Sequence, residues 1–498
     1  MMSAFHSILK GFGSVATAMG IARLSVFLNL AILARLLGAE DLGLYSAVWA
    51  TIGLLVTVSL FGIHTATARI VTAYRLRQRE LVGGLLFNVL FLSVSVSLAL
   101  AAVVTMLIGP LAETFVQTAG FADLIYLVVW NVPLLTLVLI GNAGLQGMED
   151  FRSYSASLIC SAALLVPLSY SLARLGGLRG ALWATIVTNL LAAVLTFWLL
   201  HRSLRRDGLR WSCRITAPLL GEIVSFSLPL FLASSVVLPC WWFASLYLAR
   251  LHGFAQVGLL AAGLAVFQLL QFLPGALNLP TLPALTRFAE QDTENFSRLP
   301  DYNFRLVWIF SLPLVAVTWA LAKPLAVTVF GATFASASSV LLWMALAGLC
   351  AAVSLTFASV LISAARVWAA FGLNFSWLVL FLVFLALLAP DRGALGVAQA
   401  AFFSYLLYSI PLWWYCASRL GISFAALPRL LVTGGVILLV AWFLQPRLAE
   451  LGPVETALAG ALGLFLGLVS TGFWVLVPEE RQYLREQLAH SLRGFSRA

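Results

Sequence analysis

The connections constrain this chain more than any other feature. Apolar runs of about 20 residues, the length a helix needs to cross a bilayer, follow one another along the chain, and no connection between them exceeds about 20 residues. In hydrocarbon every backbone N–H and C=O must be paired within the segment, so such runs fold as helices. Composition agrees: 62% of the 498 residues are hydrophobic, only 10% are charged, and mean hydropathy is +1.01. No soluble core absorbs that much apolar surface. The runs predict an all-α polytopic membrane protein with about fourteen spans, from the first near Val26 and the second near Leu55, through a seventh near Val236, to the last pair near Leu438 and Gly463. Lys10 precedes the first run without a small-residue cleavage site, which predicts an uncleaved first span.

Arginine placement predicts the orientation. With a cytoplasmic N-terminus, 21 of the 29 basic residues fall in inner connections, 7 in outer ones, and Arg23 falls inside a span. That bias satisfies the positive-inside rule and places both termini in the cytoplasm. The net charge of +10 is spread over segment ends rather than gathered on a face, so it gives no sign of a nucleic-acid partner.

The chain also repeats itself. Ala34, Arg35, Leu36, Gly38, Gly43, Leu44 and Ala47 return 215 residues later as Ala249, Arg250, Leu251, Gly253, Gly258, Leu259 and Ala262. A second echo, Arg179-Gly180-Ala181-Leu182, returns as Arg392-Gly393-Ala394-Leu395 at an offset of 213. Each copy holds six spans, an even number, so the copies share one orientation and form parallel repeats. The expected organisation is a first six-helix lobe over 1–200, a basic cytoplasmic linker over 201–220 and a second lobe over 221–420. An additional helix pair over 421–478 and a cytoplasmic amphipathic tail over 479–498 complete it. The Arg202–Arg214 segment is the natural hinge between lobes.

Arg23 is the sharpest candidate site. It lies well inside the first span, where an arginine costs roughly 2.5–3.5 kcal/mol to insert. The alternative reading is a side chain that snorkels to the interface. All nineteen acidic residues fall in connections or at span edges, so no carboxylate is placed to neutralise it. A buried cation of this kind suits an anionic substrate, and a guanidinium fork matches phosphate oxygens. Asn29, His64, Asn131, Asn142, Gln271 and Asn278 are candidates to line a polar cavity, each alternatively an interhelical hydrogen-bond link. Pro229, Pro239, Pro274, Pro280 and Pro283 crowd two adjacent spans and mark bent, movable elements, or else ordinary tolerance of proline in membrane helices.

Enzymatic signatures are missing. Only two lysines occur, Lys10 and Lys323, and neither sits in a phosphate-binding loop. The five histidines are dispersed, and the five cysteines have no paired spacing, so neither a metal nor a cofactor is expected.

Residues 34–45, Ala-Arg-Leu-Leu-Gly-Ala-Glu-Asp-Leu-Gly-Leu-Tyr, resemble the turn after the first helix of Wzx-type oligosaccharide flippases and polysaccharide exporters. These belong to the multidrug/oligosaccharidyl-lipid/polysaccharide (MOP) superfamily. Phe226-Ser227-Leu228-Pro229-Leu230 resembles the proline motif opening their second lobe, and Leu282-Pro283-Ala284-Leu285-Thr286-Arg287 the end of their eighth helix. The resemblance covers roughly residues 5–420. It implies a V of two six-helix lobes, MATE-like in form, that flips an undecaprenyl-pyrophosphate-linked oligosaccharide by alternating access in a bacterial inner membrane. Arg23 then matches an arginine that holds the diphosphate in related lipid II flippases. The additional helix pair matches one that forms a groove for the lipid tail. The expected partners are the lipid-linked oligosaccharide, membrane lipids and other polysaccharide biosynthesis proteins. The rival readings are a MATE-like drug/cation antiporter, which needs a membrane-embedded carboxylate, and a membrane glycan polymerase or ligase.

At the 215-residue offset Arg23 falls on Leu238, His64 on Leu279 and Glu40-Asp41 on Ala255-Gln256. The scaffold glycines repeat and the charges do not, so binding chemistry is expected mainly on the first lobe.

Overall fold

A computed structural model describes residues 2–115, 120–212, 237–291, 293–364, 366–422 and 427–475, together with Gly221, Ile223, Ser227 and Phe231. The expected tail over 479–498 lies outside the described residues. Secondary structure among the described residues is helical, with no strand. The principal helices are α1 (Met2–Leu60), α2 (Ile63–Arg77), α3 (Val82–Phe115), α4 (Phe121–Val128), α5 (Asn131–Gly147), α6 (Phe151–Arg206) and α7 (Val237–His252). They continue with α8 (Phe254–Gln291), α9 (Thr293–Ala320), α10 (Ser338–Ser363), α11 (Val367–Leu420), α12 (Leu427–Leu448) and α13 (Pro453–Val475). Nine helical stretches among the described residues are long and apolar enough to cross a bilayer, or ten if α4 and α5, bent by 44°, count as one span.

Three of these helices are too long for one crossing. At about 1.5 Å per residue the 59 residues of α1 would reach about 90 Å, three times the hydrocarbon thickness. Each long helix is broken at glycine: α1 at Gly38 (φ 79°), α6 at Gly176 and Gly177 (φ 55° at the latter), and α11 at Gly393 (φ 58°). A residue without Cβ adopts these positive φ values at little cost. Opened at those breaks, the helices follow the expected order of spans; the seventh, near Val236, runs partly outside the described residues.

The breaks give the true register of the repeat. Gly38 (φ 79°) matches Gly253 (φ 80°) at the offset of the first echo. The second echo is out of structural register by three residues. Gly177 (φ 55°, ψ −136°) is matched in conformation by Gly393 (φ 58°, ψ −133°), an offset of 216 rather than 213. Gly180 packs against the carbonyl of Leu172 as Gly396 packs against that of Leu388, again 216 apart. The equivalent positions that follow, Ala181 with Val397 and Ala184 with Ala400, are all fully buried. The shared pattern is therefore Gly-x-x-Gly around a tight helical hairpin, and the repeated Arg-Gly-Ala-Leu letters are a misleading alignment of it.

By packing, the described chain forms two compact units, Met1–Ala265 with Phe371–Ala401, and Val266–Ala370 with Phe402–Ala498. In the first unit small residues set the helices close together. Gly141 of α5 meets Thr196 of α6, whose hydroxyl is 2.7 Å from that of Ser157, and Thr72 of α2 donates to the Gly147 carbonyl at 3.1 Å. Such approaches are what hold helices together where no hydrophobic force drives them. In the second unit α12 and α13 dock on α9 in the same way. Gly434 faces Trp308, Gly463 and Gly467 face Val317 and Pro313, and Thr471 donates to the Ile309 carbonyl at 3.1 Å. Their outer faces stay apolar and exposed, as with Trp442 and Phe465, which suits contact with lipid.

The segment after α6 is strapped down over its first half. Arg75 pairs with Asp207 at 2.9 Å and with Glu149 at 3.1 Å, and Arg79 donates to the Asp207 carbonyl at 2.8 Å. Gly83 backs directly on the Arg210 carbonyl. The Trp211 indole donates to His201 Nδ1 at 2.9 Å and stacks on Phe197. Residues 207–211 are thus held against α2, α3 and α6.

Candidate functional site

Arg23 sits on α1 thirteen residues after Lys10 and fifteen before the Gly38 break, about 20 Å of helix from either. Its helical phase is fixed by Ser25, which is buried and donates to the Ala162 carbonyl of α6 at 2.7 Å. Two residues are about 200° of helical rotation, so Arg23 lies on the face turned away from α6. It is exposed there beside Ile21, Leu24 and Val26, all exposed and apolar. Among the described residues it has no hydrogen-bond or ion-pair partner.

The other copy shows what the equivalent position meets there. Leu238, the equivalent of Arg23, lies on α7, where its side chain comes within 3.5 Å of the position a Cβ on Gly53 would take. Gly53 belongs to the other copy, so at Leu238 the repeated first helix is turned toward its neighbouring copy. The same seam continues along α1 and α7. Trp242 donates to the Thr51 hydroxyl at 3.1 Å, and Phe61 stacks on Phe231 at 4.5 Å between centroids. At its far end the carbonyl of Ser227 lies 2.7 Å from where a Cβ on Gly62 would sit.

The amides are not all on Arg23's face. Asn29 shares the face of Ser25, one turn on, and is buried with no protein donor to its Oδ1 among the described residues. Asn131 opens α5, is 1% exposed and accepts from Asn189 Nδ2 at 3.3 Å. Asn142 lies three turns along the same face of α5, buried, and its Oδ1 has no hydrogen-bond partner among the described residues. His64 is exposed in the first turn of α2. Gln271 of α8 donates to the Gly348 carbonyl of α10 at 2.8 Å, a direct interhelical link. The side chains of Asn278, Pro280 and Pro283 lie outside the described residues, and so does Pro229. Pro239 is half-buried in α7, and Pro274 is buried in α8, which continues as helix through the three prolines. The structure therefore sets Arg23 apart from Asn29, and joins Asn131 and Gln271 to neighbouring helices.

Two features were missed from sequence. Phe61 takes a positive φ of 45° beside Gly62 at 74°, which ends α1 at the seam, and only the lone glycine signalled it. Asp301 pairs with Arg305 at 3.1 Å on α9, both side chains largely buried. That carboxylate is matched by its own arginine. Asp123 is exposed in the first turn of α4, and Asp41 lies three residues past the Gly38 break.

Comparison with known proteins agrees with this architecture. The chain is 24% identical over 421 residues to the EPS I polysaccharide export inner membrane protein EpsE of Ralstonia solanacearum, covering 82% of this chain and 92% of that protein. Its fold is similar to that of the lipid II flippase MurJ in an inward closed conformation, with a TM-score of 0.69 and 13% identity over 91% of this chain and 97% of that one. It is also similar to an inward-facing multidrug resistance MATE transporter of the MOP superfamily, with a TM-score of 0.66 and 16% identity over 80% of this chain and 94% of that one. The all-α membrane fold is thus that of MOP transporters. The polysaccharide biosynthesis protein family matches residues 8–288, more than half of the sequence, and the chain belongs to that family.

Proposed function

We propose that this protein flips lipid-linked oligosaccharide units across a bacterial inner membrane for cell-surface polysaccharide biosynthesis. The substrate is an undecaprenyl-pyrophosphate-linked oligosaccharide, and the protein moves it by alternating access without forming or breaking glycosidic bonds. The observation that carries the reading is Arg23: a cation about 20 Å of helix from both Lys10 and the Gly38 break, exposed on the face of α1 turned away from α6, with no counter-ion among the described residues. A diphosphate supplies the missing charge and accepts both arms of the guanidinium fork. Family membership and the likeness to an exporter and a lipid flippase support the same substrate class.

In this reading the lobes over 1–200 and 221–420 rock about the site, both termini are cytoplasmic, and other polysaccharide biosynthesis proteins deliver and collect the substrate. His64 and the Oδ1 atoms of Asn29 and Asn142, the latter two unpaired among the described residues, are the first-lobe groups this reading assigns to sugar hydroxyls; Asn131, Gln271 and Asn278 remain secondary candidates. Pro229, Pro239, Pro274, Pro280 and Pro283 are the proposed hinge positions of the seventh and eighth spans. The helices α12 and α13, each docked on α9, offer an apolar track for the polyprenyl chain. An antiporter would need a mid-span carboxylate, and the placement of Asp41, Asp123 and Asp301 argues against one.

The test is transport by the purified protein in vesicles. A fluorescent lipid-diphosphate oligosaccharide should become inaccessible to an external glycosidase with wild-type protein and far more slowly with Arg23→Ala. Equal rates would sink the role of Arg23. Absence of any flipping by wild type, together with proton-driven efflux of a cationic dye, would replace the function with the antiporter reading.

A further inference from the structure

We propose that the Arg206 end of α6 and the strap that follows it form a binding surface for anionic lipid headgroups. From Gly177 to Arg206 the helix is about 44 Å long, well beyond the ~30 Å of hydrocarbon, so its last turns emerge among headgroups. Phe197 and Trp198, about half exposed, lie just before that point, where aromatic rings favour the membrane interface. Four exposed arginines follow within nine residues: Arg202, Arg205, Arg206 and Arg210. None has a carboxylate partner among the described residues. The one nearby carboxylate in this stretch, Asp207, is engaged by Arg75 at 2.9 Å. The positive charge of the surface is therefore uncompensated.

The surface is also fixed in shape. Leu209 N–H donates to the Leu204 carbonyl at 2.9 Å, turning the chain back on the helix end. Gly83 seats the Arg210 carbonyl, and Trp211 is held by His201 and Phe197. The Arg202 guanidinium is parked over the Trp198 ring, 5.5 Å from its centroid, at the edge of the aromatic belt. Arginines scattered over mobile loops would each anchor a different lipid transiently. These four project from one braced backbone, so phosphate groups meet a preorganised array whose ordering cost is already met. Headgroup phosphates carry the complementary charge at this depth.

The experiment uses the full-length protein in phosphatidylcholine vesicles doped with spin-labelled phosphatidylglycerol or spin-labelled phosphatidylcholine. The motionally restricted fraction gives the relative affinity of each lipid for the protein. Wild type should prefer phosphatidylglycerol several-fold, and added salt should weaken the preference. The variant Arg202→Gln/Arg205→Gln/Arg206→Gln should lose most of that preference, Arg202→Lys/Arg205→Lys/Arg206→Lys should retain most of it, and Arg419→Gln/Arg429→Gln should leave it intact. A triple glutamine variant with the wild-type preference would overturn the proposal, as would equal loss in the Arg419/Arg429 pair. So would a wild-type preference that is absent or indifferent to salt, which needs no variant to fold. The readout is lipid association rather than flipping, so it stands or falls independently of the transported substrate.

Discussion

Gly43 lies directly on the main-chain carbonyl of Phe254, and the contact is returned with roles exchanged: Gly258 lies on the carbonyl of Ala39. The two pairs are related by the 215-residue offset of the repeat, since Ala39 is equivalent to Phe254 and Gly43 to Gly258. A methyl group at either glycine overlaps backbone, which cannot turn aside as a side chain can. Gly43→Ala and Gly258→Ala should each destabilise the protein by about 1–3 kcal/mol, seen as a lower thermal midpoint in detergent. Because both act on one crossing, the double variant should lose less than the sum. Strict additivity would show that the two contacts are independent.

Arg23 offers a graded test. A hydrogen bond to a charged group is worth about 1.5–3 kcal/mol, so Arg23→Ala should weaken substrate binding about ten- to a hundredfold. Arg23→Lys keeps the charge and loses the fork, and should fall between wild type and alanine. Binding of a fluorescent lipid diphosphate, measured by titration, checks the order. A lysine variant as weak as alanine would mean that geometry outweighs charge.

The matched breaks at Gly177 and Gly393 predict unequal penalties for the same substitution. Both occupy backbone conformations reserved for glycine, so an alanine at either should cost about 1–3 kcal/mol. At Gly177 nothing lies within 4 Å of the new Cβ, whereas at Gly393 it would come within 2.9 Å of Gln256 Oε1. That oxygen accepts from the Ala394 N–H at 3.0 Å, so displacing it also orphans a donor. Gly393→Ala should therefore lower the thermal midpoint more than Gly177→Ala.

Residues 207–211 should behave as a fixed strap. Trp211→Ala removes the indole contact with His201 and Phe197, and should speed limited proteolysis within 207–220 while leaving cleavage elsewhere unchanged. An unchanged cleavage pattern would mean that the Arg75 and Arg79 contacts with Asp207 suffice to hold the segment.

The architecture was legible in the sequence because the bilayer leaves the backbone so little choice. Run length alone placed the helices, and the repeated glycines located two of the turns. Letters misled where conformation was conserved without them: Arg179 and Arg392 matched as text, while Gly177 and Gly393 matched as backbone. The candidate site was harder to read. That Arg23 had no carboxylate nearby could be inferred from composition, but its separation from Asn29 depends on helical phase, which Ser25 sets through a contact with Ala162 137 residues away. Whether an amide lines a cavity or joins two helices is likewise a question of partners. Gln271 found the Gly348 carbonyl, and nothing in the local sequence names it. The Phe61–Gly62 break escaped notice because phenylalanine rarely takes a positive φ, and a single glycine at the end of a run is a weak sign.

The reciprocal glycine crossing has one more consequence. A contact in which each half offers the other the same patch is isologous, the kind made by two identical subunits about a two-fold axis. At this point the polypeptide is a dimer whose subunits happen to be covalently joined. Two separate chains, divided between the strap and α7, carry complementary surfaces for one another and should reassemble when co-expressed.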